Sequence, residues 1–145
     1  MKYILFLLLI LPAGSFAQKW YSFSKNDVAI MGLEMGAGYA QGWKDEVTYH
    51  PNQLFKNHPG LNRNFWDIRT QGKKGFLNTE WDADHVLKFS VNGLHVTAIS
   101  IKIGNLKQYP KKQRWKKIVF DLIKYYASYK VGFFLSYNVT HENKL

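Results

Sequence analysis

The chain contains no cysteine. This absence excludes disulfides, thiolate metal ligands, cysteine nucleophiles and lipid attachment through an N-terminal cysteine. The sequence also lacks an HExxH pair, a Gly-x-Ser-x-Gly elbow, a phosphate-binding loop and a dinucleotide-binding fingerprint. Acidic residues are few: 10 Asp and Glu against 20 Lys and Arg give a formal net charge of +10. This balance favours an anionic partner such as lipid headgroups, nucleic acid or an acidic polymer.

Residues 1–17 are typical of a secretory signal peptide. Lys2 supplies a positive charge, an apolar run follows, and a Ser-Phe-Ala sequence ending at Ala17 offers a cleavage site. The apolar run is too short to span a bilayer, although an uncleaved anchor helix is the alternative. We therefore predict export to the periplasm or cell envelope, which argues against nucleic acid as a partner. Residues 18–145 would then form a single helical domain.

Residues 81–103 form a segment in which polar residues interrupt an apolar background. On a helix, at about 100° per residue, most of these polar residues share an arc of about 100°. They are Asp84, His85, Lys88, Asn92, His95 and Lys102. Surface helices usually show the opposite proportions, so this helix is predicted to bury its charges against partner helices. A strand over residues 94–103 is the alternative, because polar and apolar residues alternate there and many are β-branched.

Two further long helices complete the prediction of an all-α fold. This fold is a small bundle of three long helices plus short loop helices, preceded by the signal peptide. The first long helix begins at a cap on Ser24 or Asn26 and ends before Pro51. It carries an acidic stripe within about 40° of arc, formed by Asp27, Glu34, Gln41 and Asp45. The last helix follows Pro110, and its narrow polar stripe consists of Lys117, Asp121, Lys124 and Ser128.

The polar stripes are predicted to face each other, with Glu34 within reach of His85 or Lys88. Opposite charges on facing stripes offset the cost of removing both from water. Glu34 either pairs for structural reasons or acts as an acid with a raised pKa. An acid–base site built from Glu34, Asp82 and His85 is the catalytic hypothesis. No metal or cofactor is expected, because His85 and His95 lie about 15 Å apart along one helix.

Several other residues are candidates for binding. Gly32 and Gly36 form a GxxxG pair that would let another helix approach closely, including one from a second copy of the chain. In the long connection over residues 50–80, Trp66 can anchor the loop or lie at a membrane surface, and Asp67 can cap a turn. Lys88 and His95 are binding candidates on the central helix. A basic patch surrounds Trp115 and consists of Lys111, Lys112, Arg114, Lys116 and Lys117.

A glycine-rich first helix, the sequence Phe65-Trp66-Asp67, a D-x-x-H spacing from Asp82 to His85 and an aromatic last helix occur in this order. This order resembles a family of small bacterial envelope proteins, the YfiM-type lipoproteins, over most of the mature chain. The resemblance implies a helical fold, an envelope location and shared positions at Trp66, Asp67, Asp82 and His85, but no activity. The chain departs from that pattern because it has no cysteine to acylate. In addition, residues 71–76 replace a Trp-x-Asn-Lys-Tyr element.

Together these features predict an exported helical envelope protein that docks on an anionic lipid surface or on a membrane protein partner. The alternative is a small lipid- or cell-wall-modifying enzyme that uses Glu34, Asp82 and His85. Integration into the membrane is less favoured. The two loops between the long helices are both basic although they would face opposite sides of the bilayer.

Overall fold

The computed structural model of the chain describes residues 21–67, 69 and 82–138. Five helices run through them: α1 (Lys25–Tyr49), α2 (Pro51–Asn57), α3 (Arg63–Trp66), α4 (Ala83–Leu106) and α5 (Lys111–Tyr137). The described ranges contain no β-strand, which confirms the all-α prediction. Because α4 includes residues 94–103, the helical interpretation of that stretch is correct. The signal peptide predicted over residues 1–17 and the departure at residues 71–76 lie outside the described residues.

The helix ends follow from local sequence chemistry. The hydroxyl of Ser24 accepts the backbone N–H of Asp27 at 3.1 Å, and the Asp27 carboxylate accepts the backbone N–H of Ser24 at 2.8 Å. This reciprocal capping box satisfies two amides that would otherwise lack partners. Pro51 opens α2, and the Asp82 carboxylate caps α4 by accepting the backbone N–H of His85 at 2.9 Å. The cap at Ser24 and the break before Pro51 agree with the predictions.

Glycines bring α1 and α5 into backbone contact. A Cβ atom added at Gly38 would overlap the carbonyl oxygen of Tyr129, and one at Gly132 would overlap the carbonyl oxygen of Met35. A Cβ at Gly42 would lie 2.6 Å from the hydroxyl oxygen of Ser136. Only glycine therefore permits this close approach. Gly38 and Gly42 have GxxxG spacing, so the pattern that governs the contact is present in the sequence.

The predicted close approach at Gly32 and Gly36 is wrong within the chain. A Cβ at Gly32 would meet no atom within 4 Å, and one at Gly36 would make an ordinary contact of 3.5 Å with the Leu94 side chain. The helix has several glycines on different faces, and spacing alone does not say which face meets a neighbour. Self-association through Gly32 and Gly36 stays a prediction.

Apolar packing is concentrated in two separate clusters. Ile30, Ala98 and Tyr125 join α1, α4 and α5 at one level. Val47, Leu54 and Ala83 join α1, α2 and α4 near the other end of α1, with Trp43 and Trp66 packed against them. The space around the first cluster contains charged side chains, which form the candidate functional site.

Candidate functional site

Lys117 lies at the centre of a buried ionic cluster. Its ammonium group donates hydrogen bonds to Asp27 Oδ2 at 2.9 Å, to Asp121 Oδ1 at 2.8 Å and to the carbonyl oxygen of Ser22 at 3.1 Å. Lys117, Asp27 and Asp121 are each exposed by 1% or less. Asp27, the acidic residue of the capping box of α1, therefore also accepts a hydrogen bond from the first residue of the polar stripe of α5.

Two more lysines and a tyrosine complete the ionic cluster. Lys124 Nζ lies 2.7 Å from Asp121 Oδ1 and 3.6 Å from Asp27 Oδ1, and the Tyr125 hydroxyl donates to Asp27 Oδ1 at 2.9 Å. Lys102 of α4 forms an ion pair with Asp121 Oδ2. The cluster consists of Asp27, Lys102, Lys117, Asp121, Lys124 and Tyr125. Three ammonium groups against two carboxylates leave one formal positive charge in excess.

Burial and pairing shift the pKa values in opposite directions. Burial alone would raise the pKa of Asp27, but hydrogen bonds from Lys117 and Ser24 and the charge of Lys124 outweigh it and lower the pKa to about 2. Burial lowers the pKa of Lys102 to about 8, and that of Lys117 to about 8 against the opposing hydrogen bond to Asp27. Burial, together with the nearby Asp27, raises the pKa of Tyr125. Removing the lysine charges from water therefore costs more than their pairing recovers.

Stability is expected to rise with pH in mildly alkaline solution. The folded-state pKa of Lys102 and Lys117, about 8, lies below their ordinary value of 10.5. Between these two values the unfolded chain binds more protons, so raising the pH favours the folded state. Above pH 10.0 the raised pKa of Tyr125 acts in the opposite direction. The urea midpoint should therefore increase from pH 7.5 to 9.5, and Lys102→Met should reduce this increase. A midpoint that falls over this interval would contradict the assignment.

Glu34 pairs with His95, not with His85 or Lys88 as predicted. Glu34 Oε2 lies 2.9 Å from His95 Nδ1, and the His95 ring packs 5.7 Å from the ring of Tyr129. His85 instead pairs with the capping carboxylate of Asp82 at 2.8 Å and is largely exposed. His85 and His95 are separated by about 15 Å of helix rise. Glu34, Asp82 and His85 therefore do not meet in one site, and the geometry gives the catalytic hypothesis no shared pocket.

Of the remaining binding candidates, Trp66 and Asp67 have structural contacts. The ring of Trp66 packs 5.3 Å from that of Trp43, and the half-buried Trp66 joins α3 to the apolar cluster of Val47. Asp67 is buried and receives hydrogen bonds from the Arg69 guanidinium at 2.8 Å, which lowers the pKa of Asp67. Lys88 is exposed on α4. Within the described ranges, no group of three His, Asp or Glu side chains is arranged to hold a metal ion.

The outer faces of α4 and α5 are apolar although they are exposed. On α5 the buried residues are polar or small except for Tyr125, whereas most of the large apolar side chains are exposed, together with Lys111, Lys112, Lys116 and Lys130. We call this exposed surface the outer face, formed by Phe89, Val96, Ile99, Ile103, Val119, Leu122, Ile123, Tyr126 and Phe134. Phe89 is 74% exposed and Ile123 is 65% exposed. This polarity is the reverse of that of a water-soluble surface helix. Large exposed apolar surfaces are typical of sites of interaction with proteins or membranes.

A group of lysines borders one end of the outer face. We call it the basic collar, and it consists of the exposed residues Lys107, Lys111, Lys112 and Lys116 around Trp115. The Lys116 ammonium lies 5.6 Å from the ring of Trp115, which is 61% exposed. The predicted patch is smaller than expected, because Lys117 turns inward and the Arg114 side chain donates to the carbonyl oxygen of Tyr109 at 3.0 Å.

Across the described ranges, none of the helices combines the length and the apolar character needed to cross a membrane.

Comparison with protein-family models, with curated proteins and with solved structures finds no match to this chain. The resemblance to the YfiM-type lipoproteins therefore stays a prediction from the sequence.

Proposed function

We propose that this chain is an exported three-helix bundle that docks on the surface of an anionic membrane. The outer face of α4 and α5 contacts the acyl chains, and the basic collar contacts the headgroups. The reversed polarity of α5 carries this proposal. Its buried side presents Lys117, Asp121 and Lys124 to α1, while Leu122, Ile123 and Tyr126 point outward.

Charge supports an anionic lipid as the partner of this surface. The chain has an excess of ten basic residues, and the collar places several of them beside the exposed apolar side chains. Each lysine near an anionic bilayer adds about 1 kcal/mol of attraction. Trp115 lies among these lysines, and tryptophan is enriched at the headgroup level of membranes. Apolar contact and electrostatic attraction therefore act on the same side of the molecule.

The double variant Lys111→Ala/Lys112→Ala is expected to weaken binding to vesicles that contain phosphatidylglycerol by about 30-fold, from about 1 kcal/mol per lysine. Sedimentation of the mature protein with vesicles measures this change. The matched control is Lys56→Ala/Arg63→Ala, which removes the same charge from exposed positions on α2 and α3. The control should bind within about threefold of the wild type, because these residues lie on the two short helices and not on the outer face of α4 and α5.

Salt and lipid composition provide the remaining tests of membrane docking. Binding should weaken as salt is raised, because exposed charges are screened beyond about 8 Å at physiological ionic strength. Vesicles of phosphatidylcholine alone should bind much less protein. Failure to bind anionic vesicles, or equal weakening by both double variants, would refute docking on lipid and favour a membrane protein as the partner of the outer face.

A further inference from the structure

A groove of about 400 Å³ lies between α4 and α5 within the outer face. Ile99 and Leu106 of α4 form one wall, Ile118, Leu122 and Tyr126 of α5 form the other, and Ile30 of α1 lies at the floor. Ile99, Leu122 and Tyr126 are exposed, so the groove opens to the outside. Its volume is within the range of about 300–1,000 Å³ for small-molecule sites.

The polar groups that border the groove already have partners. Lys102 and Asp121 form an ion pair with each other, and Glu34 is paired with His95 at 2.9 Å. All other lining side chains are apolar or aromatic. Along each helix the lining residues extend over nine positions, residues 98–106 and 118–126, which corresponds to about 12 Å of helix rise. A long, narrow apolar body fits such a space, because the walls offer few polar atoms, among them the hydroxyl of Tyr126.

One end of the groove adjoins the basic collar. Lys107 follows Leu106 directly in the chain. Lys111 precedes Ile118 by seven residues, about two helical turns, so Lys111 and Ile118 lie on the same side of α5. Both lysines are exposed. An apolar chain in the groove would therefore place an attached anionic group among ammonium groups at the end that Leu106 and Ile118 form.

We infer that the groove binds one acyl chain of an anionic membrane lipid, whose headgroup lies on the basic collar. This inference rests on the proposed docking of the outer face on a membrane and assigns one lipid to a defined position in that contact. Groove binding is saturable at one lipid per chain, whereas general contact with a bilayer is not.

Two matched double variants separate the groove from the rest of the outer face. Ile99→Gln/Leu122→Gln changes two groove residues that are 56% and 63% exposed. Ile103→Gln/Ile123→Gln changes two residues outside the groove lining that are 59% and 65% exposed. Glutamine is a good helix former, so neither exposed change disturbs the helices. Both variants remove similar apolar surface from the same two helices.

The probe is lysophosphatidylglycerol below its critical micelle concentration, and its binding to the mature protein is measured by calorimetry and native mass spectrometry. The wild type should bind one molecule. The groove variant should bind at least tenfold more weakly, and the control variant within about threefold of the wild type. Lysophosphatidylcholine of the same chain length should bind more weakly, because it lacks net charge. Equal effects of both variants, or no saturable binding, would overturn the inference.

Vesicle sedimentation with the same variants distinguishes failure of the groove from failure of docking. If wild-type protein binds anionic vesicles but both double variants weaken single-lipid binding equally, docking stands and the groove assignment is wrong. If wild-type protein binds neither vesicles nor the single lipid, both proposals fail. If the protein binds the single lipid but no vesicles, and only the groove variant weakens that binding, the groove is supported as a lipid site and docking on a membrane is refuted.

Fluorescence quenching tests the position of the acyl chain directly and does not require a variant that weakens lipid binding. The chain has no cysteine, so Leu122→Cys and Ile123→Cys each carry a fluorophore at one position only. A lysophosphatidylglycerol with a nitroxide on its acyl chain should quench the label at residue 122 at least twofold more strongly than that at residue 123. Equal quenching at the two positions would contradict an acyl chain in the groove.

Discussion

Replacing Asp27 with asparagine is expected to destabilise the protein by about 3–5 kcal/mol, the cost of breaking a buried ion pair by removing one partner. The substitution preserves size but leaves Lys102, Lys117 and Lys124 with the carboxylate of Asp121 alone. The buried formal charge of the ionic cluster then rises from one to two. The capping box at Ser24 is also weakened, because the carboxylate that accepts its backbone N–H is lost. Urea unfolding followed by circular dichroism measures the change in free energy.

Lys117→Met provides the informative comparison for Asp27→Asn. It removes the three hydrogen bonds that Lys117 donates, to Asp27, Asp121 and Ser22. In Asp27→Asn, by contrast, the amide oxygen can still accept part of the four hydrogen bonds that the carboxylate accepts. It also balances the cluster, because two lysines then face two aspartates. If charge balance dominates, Lys117→Met costs about 1–2 kcal/mol, less than Asp27→Asn. If the number of hydrogen bonds dominates, the order is reversed, and the description of a cation-rich cluster is wrong.

Asp84→Asn is the matched control for a general effect of removing a carboxylate. Asp84 is partly exposed, accepts a hydrogen bond from Thr48 at 3.0 Å and lies 3.8 Å from Lys44. Ion pairs of this kind contribute about 0–1 kcal/mol. A cost for Asp84→Asn that approaches the cost for Asp27→Asn would show that burial of the cluster does not determine the effect.

Helix positions and polar faces could be predicted from the sequence because they depend on local chemistry. Ser24 and Asp27 form a recognisable cap, Pro51 ends a helix, and the stripe from Lys117 to Ser128 follows from helical periodicity. Asp121 and Lys124 belong to this predicted stripe and lie three residues apart on one face of α5, where they form an ion pair at 2.7 Å. These features require only the geometry of a single helix.

The partners across helices could not be predicted in the same way. Periodicity gives the face on which Glu34 lies, but not its height relative to His85 or His95 on another helix. That relative height depends on how α1 slides against α4 and α5, which side-chain volume and glycine contacts determine. Lys117 was predicted both in the polar stripe of the last helix and in the basic patch around Trp115, and the structure places it in the buried stripe. Its sequence neighbours, Lys111, Lys112 and Lys116, suggested a solvent-exposed basic patch that included it.

The ionic cluster and the outer face have a common physical origin. Close contact between α1 and α5 leaves room around Gly38, Gly42 and Gly132 only for small residues, and most of the other buried positions of α5 carry polar side chains. The large apolar residues of α5 are therefore placed on the opposite side, where they remain exposed. The buried ionic cluster and the exposed apolar outer face are therefore two results of the same helix packing. This packing depends on the glycines at which α1 and α5 touch.

Replacing Gly132 with alanine is expected to destabilise the protein by about 2–3 kcal/mol, because the added methyl group would overlap the carbonyl oxygen of Met35. A backbone atom cannot move aside as a flexible side chain can, so α1 and α5 must separate. Gly32→Ala adds the same methyl group in the exposed part of α1, where no atom lies within 4 Å. It should stabilise the protein by up to about 1 kcal/mol through helix propensity.

If Gly132→Ala lowers the free energy of unfolding and Gly32→Ala raises it, the close approach between α1 and α5 lies at Gly132 within the folded chain. Gly38→Ala should behave like Gly132→Ala, because its methyl group would overlap the carbonyl oxygen of Tyr129 from the other side of the same contact. Urea midpoints at two protein concentrations complete the measurement. If Gly32→Ala destabilises the protein, and does so more at higher concentration, Gly32 packs against a second copy of the chain and the self-association predicted from its spacing is supported. If Gly132→Ala is neutral, the backbone contact between α1 and α5 is refuted.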